Sequence, residues 1–341
     1  MQYSYSTSFS VIIKTFICFG LFSVVSPLSA QNQHWAKATN NPIELGEVHW
    51  LRNFDEAKVK AKTTQKPIFI LFQEVPGCNT CQRYGQNILS HPLLIEAIET
   101  YFVPLAIHNN KGGHDKKVLR KFNEPSWNNP VVRITNGDGK DIIPRVSAKY
   151  DLLSVTSATL SAITASGQIV PKYLSLLETE LQADQYDQEA FLSMYCFWTG
   201  EKEIAKIPGV VKTEAGFMDG REVVKVNFNS SVTTLKKLIK EADKNSCAQK
   251  VYVSDKSNVN NTKVHPAKSF RKDKESKYYL FKSKYSSIPM MDHQAMLVNS
   301  WIGQNRNPEE LLSPRQLTFL KTEKKNLIGL DFVTAWHKAL N

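Results

Sequence analysis

Lys66-Pro67-Ile68-Phe69-Ile70-Leu71-Phe72, running on to Val75-Pro76-Gly77-Cys78-Asn79-Thr80-Cys81, is the stretch on which the fold of this chain turns. The unbroken apolar run from Ile68 to Phe72 suits a central strand buried on both faces. Pro76 and Gly77 end it, and two thiols follow at the start of a long helical pattern, Gln82 to Tyr101, that Pro92 breaks. A second apolar strand is predicted from Phe102 to Ile107, and a helix from Asp55 to Lys62 leads into the first. Further on, Asn129-Pro130 stands directly before the apolar run Val131 to Ile134, and Asn136-Gly137-Asp138-Gly139 reads as a hairpin turn. A thiol at a helix start meets free N–H groups and the positive end of the helix dipole, which favour thiolate. Cys78 is therefore expected to attack and Cys81 to resolve.

Strand, cysteine pair, helix, strand is the thioredoxin order, and Pro130 stands where such folds set a cis-proline beside the pair as part of the substrate-binding face. Residues 66 to 135 resemble a thioredoxin-like family whose selenoprotein members carry a Val-Pro-Gly-selenocysteine motif, here Val75-Pro76-Gly77-Cys78. The resemblance implies a redox-active pair. The buried acid of ordinary thioredoxin would fall near Phe72, which has no acid function. A zinc site would need two more ligands, for which His108 and His114 are available, but there is no second CxxC. A purely structural disulfide is the other alternative. No cofactor and no metal are expected.

From residue 186 the pattern changes. Strand Ala190 to Tyr195, helix Phe197 to Lys206, strand Val210 to Phe217, turn, strand Glu222 to Phe228, helix Val232 to Asp243 and strand Lys250 to Val253 give β-α-β-β-α-β, a ferredoxin-like split order. Cys196 falls at the first strand-to-helix junction, followed by Phe197 and Trp198. By two-residue alternation Glu222 shares a face with Val224, Val226 and Phe228, so desolvation is expected to raise its pKa and make it a general acid. Tyr195-Cys196-Phe197-Trp198-Thr199-Gly200-Glu201, Pro208-Gly209-Val210 and Arg221-Glu222-Val223-Val224 resemble the A-type peptide methionine sulfoxide reductases. The resemblance implies Cys196 as nucleophile, Phe197 and Trp198 as methyl pocket, and Glu222 as acid. The chain departs from that family in its short hairpin Met218-Asp219-Gly220 and in lacking two downstream substrate segments. Cys247 is a candidate resolving thiol or a buried structural one.

The expected architecture is thus α/β: a thioredoxin-like domain over residues 40–185, a reductase-like domain over 186–256, and a basic linker and helical tail over 257–341. Residues 1–30 read as a secretory signal peptide, with Lys14 before an apolar stretch too short to span a bilayer. Its removal predicts a periplasmic or secreted protein with no stable membrane span; left uncleaved, it is an anchor. The net charge of +11 drops only by Lys14 and is spread over separate lysine runs, so no nucleic-acid partner is expected. Ser257 to Ser276 is polar and reads as a surface excursion, whereas Ser313-Pro314 reads as a capped helix start. The expected partners are an oxidised protein or small-molecule sulfur substrate and an external thiol or membrane electron donor. The expected activity is reduction of oxidised sulfur at Cys196 with electrons from Cys78 and Cys81. Chemistry confined to Cys78/Cys81, and a metal-trafficking or binding module, remain the alternatives.

Overall fold

The structure, a computed structural model, describes residues 1, 40–183, 187–254, 262–321, 327 and 329–340. The expected signal peptide, Met1 apart, lies outside the described residues. From Asn40 onward the described residues make one compact unit with two separate β-sheets.

The first sheet is built on β1 (Ile68–Gln73), parallel to β2 (Val103–His108) and antiparallel to β3 (Val131–Thr135); β4 (Val146–Ser147) completes the order β2-β1-β3-β4. Helix α1 (Phe54–Thr64) precedes β1, while α2 (Asn79–Asn87) and α3 (Pro92–Tyr101) carry the chain across to β2. The break between them falls at Pro92, which takes the first turn of α3, where a missing N–H costs nothing. Helix α4 (Gly113–Lys121) joins β2 to β3, and α5 (Leu152–Ala165) and α6 (Lys172–Ala183) follow β4. Every residue of β1 is buried, and alternation divides them between two cores. Phe69 and Leu71 pack with α3, α5 and α6, whereas Ile68, Ile70 and Phe72 pack with Phe54, Ala57 and Val118 of α1 and α4.

The second sheet follows as β5 (Asp187–Ser193), α7 (Phe197–Ile204), β6 (Val210–Met218), β7 (Arg221–Asn229), α8 (Leu235–Asp243) and β8 (Lys250–Val253). Its central strands pair antiparallel in the order β6-β7-β5-β8, so each β-α-β unit leaves a gap that one strand of the other unit fills. Asp219 and Gly220 turn the β6–β7 hairpin with φ of 53° and 69°, the positive pair a two-residue turn requires. Two further strands extend the sheet where the sequence suggested a polar excursion: β9 (Val264–Pro266), parallel to β8, and β10 (Arg271–Lys272), antiparallel to β6. Rim pairing is made by backbone groups and asks little of side-chain hydrophobicity, so composition alone does not reveal it. Gly216 permits the approach of β10, since a Cβ there would lie 2.4 Å from the Phe270 ring and 2.6 Å from the Arg271 carbonyl.

The tail, α9 (Tyr278–Phe281), α10 (Asp292–Gly303), α11 (Pro314–Thr318) and α12 (Phe332–Leu340), is shared between the two sheets. Met296 enters the core of the second sheet, while Val298, Leu312, Phe319 and Trp336 enter that of the first. Ser313 caps α11 in a reciprocal box with Gln316, as the Ser-Pro start suggested. Buried amides lock the arrangement: Gln294 and Gln316 donate to each other's oxygen at 2.7 Å, and their remaining N–H groups reach the carbonyls of Leu311 and Pro289.

Where α11 meets α3, Glu96 is fully buried and accepts the Arg315 N–H at 2.9 Å. Burial pushes its carboxyl up to about 7, with Ser313 and Arg315 opposing. Between the ordinary 4.5 and about 7 the folded state holds a proton that the unfolded state releases, so stability is lost as pH rises through that window. The Glu96→Gln variant keeps the acceptor without the charge. Denaturant titrations are expected to show it gaining on the parent by roughly 3 kcal/mol between acid and alkaline pH; parallel pH profiles for the two proteins would contradict this.

Candidate active site

Cys78 is the N-cap residue of α2 and is exposed, whereas Cys81, one helical turn on, is buried. The two sulfurs lie 3.7 Å apart, and the Cys81 thiol donates to Asn129 Oδ1 at 2.8 Å. Their environments split their acidities. The Cys81 backbone N–H at the helix start, with the Cys81 thiol and Thr80 adding, holds Cys78 below the ordinary thiol value. Burial pushes Cys81 up to about 12, and the hydrogen bond and charge of Cys78 add to the rise. The pair therefore offers one accessible sulfur biased toward thiolate and one protonated sulfur held behind it.

The loop that presents the pair is held from below. Glu44, buried within a 3-10 turn (Ile43–Leu45), accepts the Gly77 N–H at 2.8 Å. Buried Gln73, at the end of β1, donates to the carbonyls of Glu44 (2.9 Å) and Cys81 (3.2 Å). Gly77 is required by space: a Cβ would sit 2.4 Å from the Glu74 carbonyl and 2.7 Å from Cys81 Cβ. Gly85 likewise lets α2 rest on the 3-10 turn, since its Cβ would meet the Ile43 carbonyl at 1.9 Å. No acid stands near Phe72, where ordinary thioredoxin buries one; the buried carboxyl below this loop comes instead from Glu44, well before the strand and unmarked by any local motif. Both Asn129-Pro130 and Val75-Pro76 are cis. Pro130 is itself buried, so it offers substrate little surface. Asn129 supplies the contact to Cys81, and nearby Trp127 is 81% exposed.

The histidines considered as metal ligands lie elsewhere. His114 Nε2 accepts the Phe54 N–H at 3.0 Å, and His108 ends β2 with burial pushing it down to about 4.

At the second thiol centre, Cys196 is the half-buried N-cap of α7, beside Tyr195, which is 92% exposed. Strand parity places Glu222 correctly on the α7 side, where Glu222 Oε2 accepts the Phe197 N–H at 2.9 Å. Glu222 is half-buried and caps the helix, rather than lying sequestered among apolar side chains as expected. The anticipated methyl pocket is filled. Phe197 is buried in the core of the second sheet against Phe217. Trp198 stacks on Tyr278 of α9 at 4.1 Å and 18°, its indole N–H reaching Asp273. Aromatic residues after a strand read alike from sequence whether they are open or covered, and the covering ring here comes from the distant tail.

Cys247 is buried, donates toward the Asn245 carbonyl, and is pushed up to about 11 by burial, with the Glu203 charge adding. Burial thus disfavours the thiolate with which it would resolve an intermediate on Cys196. The acid unrecognised in the motif is Glu201: fully buried, it accepts from the backbone of Ala215 and Lys277 and from Ser276 Oγ. Burial raises its pKa while the Lys277 charge opposes. It ties the tail to α7. Gly200 is fixed by Met194, whose sulfur would lie 1.8 Å from a Cβ.

Residues 49–137 match the family described as thioredoxin-like, a span running from the segment before α1 to just past β3. The chain therefore carries a thioredoxin-like domain, and the match ends before the second sheet. No curated protein matches the chain. A solved chain described as "DsbH Oxidoreductase" is similar at a TM-score of 0.31 and 16% identity, over 40% of this chain and 95% of that one.

Brief alkylation at neutral pH followed by peptide mapping is expected to label Cys78 first and Cys196 more slowly. Cys81 and Cys247 should be labelled only on unfolding. Native labelling of Cys247 as fast as Cys196 would contradict the burial described.

Proposed function

We propose that this protein is a thiol–disulfide oxidoreductase working through Cys78 and Cys81. The observation that carries the reading is the exposed, thiolate-favouring Cys78 with buried Cys81 3.7 Å behind it, on a thioredoxin-like domain. The Cys78 thiolate attacks one sulfur of a substrate disulfide, forming a mixed disulfide and releasing one substrate thiolate. Cys81 then gives up its proton and attacks Cys78 Sγ; the mixed bond breaks, the protein disulfide forms and the second substrate thiolate leaves. Two electrons pass to the substrate, whose two sulfurs take up protons, and an external dithiol must return the pair to its reduced form. Export to an oxidising compartment belongs to this proposal through the leader-like residues 1–30. No described helix is long and apolar enough to cross a membrane.

A second reading keeps reduction of an oxidised sulfur such as methionine sulfoxide at Cys196. It draws support from Cys196 and Glu222 meeting at one helix start, and it must contend with Phe197 and Trp198 being packed away. Among the described residues no hydrogen bond joins Cys78 or Cys81 to Cys196 or Cys247.

Dithiothreitol-driven insulin reduction separates the readings. It is expected to vanish in Cys78→Ser and to persist in Cys196→Ser. Insulin reduction that survives Cys78→Ser would overturn the first reading, and methionine-S-sulfoxide consumption abolished by Cys196→Ser would establish the second.

A further inference from the structure

Among the described residues, one group of three or more histidine, cysteine or acidic side chains brings its ligand atoms together: Glu74, Cys78 and Cys81, all within 4.8 Å of one another. From these distances we infer that the reduced pair and Glu74 form a three-ligand site for a thiophilic divalent cation of the Zn2+ class. The two sulfurs already stand at the right separation. Zinc–thiolate bonds of about 2.3 Å at a tetrahedral angle put their sulfurs about 3.8 Å apart, and the observed distance is 3.7 Å. Glu74 is half-buried at the start of the loop, directly after β1, and its carboxylate supplies the third donor. Two soft sulfurs and one carboxylate oxygen are donors that Zn2+ accepts and that Mg2+ or Ca2+ would not select.

A zinc reading of the sequence rests on a second CxxC or on histidine, and this ligand set has neither. His114 accepts the Phe54 N–H and His108 ends β2, whereas the third donor sits four residues before Cys78 in a position indistinguishable from an ordinary loop glutamate. Cys78 is exposed, so the fourth coordination position faces solvent and is open to water or to an incoming ligand. Binding moves no electrons: the cation displaces the proton of Cys81, and that of Cys78 where it is still a thiol, and loses bound water. A disulfide between the same sulfurs removes both thiolates. Metal binding and disulfide exchange therefore compete for one pair, and the inference goes beyond the exchange reading without depending on turnover.

Cobalt(II) is the probe, added to the full chain after reduction and chelator treatment. One equivalent is expected to produce a thiolate-to-metal charge-transfer band and the intense visible bands of a tetrahedral centre, both removed by Zn2+. Oxidising the pair in the unaltered protein should abolish the bands with the fold intact, as should Cys81→Ser. Glu74→Gln should weaken Co2+ by at least the about tenfold that loss of even an outer-shell partner costs. Absence of the charge-transfer band in the reduced chain, or unchanged affinity in Glu74→Gln, would overturn the site. Insulin reduction assayed in chelator reports on the exchange reading alone, so either reading can fail without the other.

Discussion

Two thiols one helical turn apart straddle the boundary between solvent and core, and the candidate site depends on that placement. Cys78 takes the exposed N-cap position of α2, where backbone donors at the helix start stabilise negative charge. Cys81 faces inward, where loss of solvation and the neighbouring Cys78 sulfur disfavour charge, and its thiol donates to the Asn129 oxygen. Similar side chains thus acquire different roles through burial and one set of helix-end donors. Keeping them there requires a rigid loop. The Glu44 contact to the Gly77 N–H, the Gln73 bridge and the absence of a side chain at Gly77 together supply it.

The second sheet and the tail have a different economy. Glu201 is an acid buried within a conspicuous cysteine motif, yet its oxygens are taken up by Ala215, Ser276 and Lys277. Trp198 is covered by Tyr278, and β10 lies along β6. The tail therefore closes over the aromatic face of α7 while α11 and α12 reach the core of the first sheet. One C-terminal segment serves both sheets, which accounts for a single compact unit in a chain whose sequence reads as two domains followed by a tail.

Local signals in the sequence were strong where the chemistry was local. The apolar run Ile68 to Phe72 announced a strand buried on both faces, Pro92 marked the break between α2 and α3, and Ser313-Pro314 marked the cap of α11. Alternation placed Glu222 on the α7 side of β7. What sequence could not carry was pairing between distant segments. Glu44 meets the cysteine loop from before β1, Asn129 meets Cys81 from the start of β3, and Tyr278 covers Trp198 from the tail. The edge strands β9 and β10 were hidden for a related reason, because backbone pairing at a rim leaves little trace in composition.

The separation of the two acidities is directly measurable in the reduced protein with labelled cysteine Cβ carbons followed by NMR across pH. Cys78 is expected to titrate first, below the ordinary thiol range, and Cys81 to stay protonated up to about 12. Coincident titration of the two carbons, or Cys81 ionising before Cys78, would contradict it.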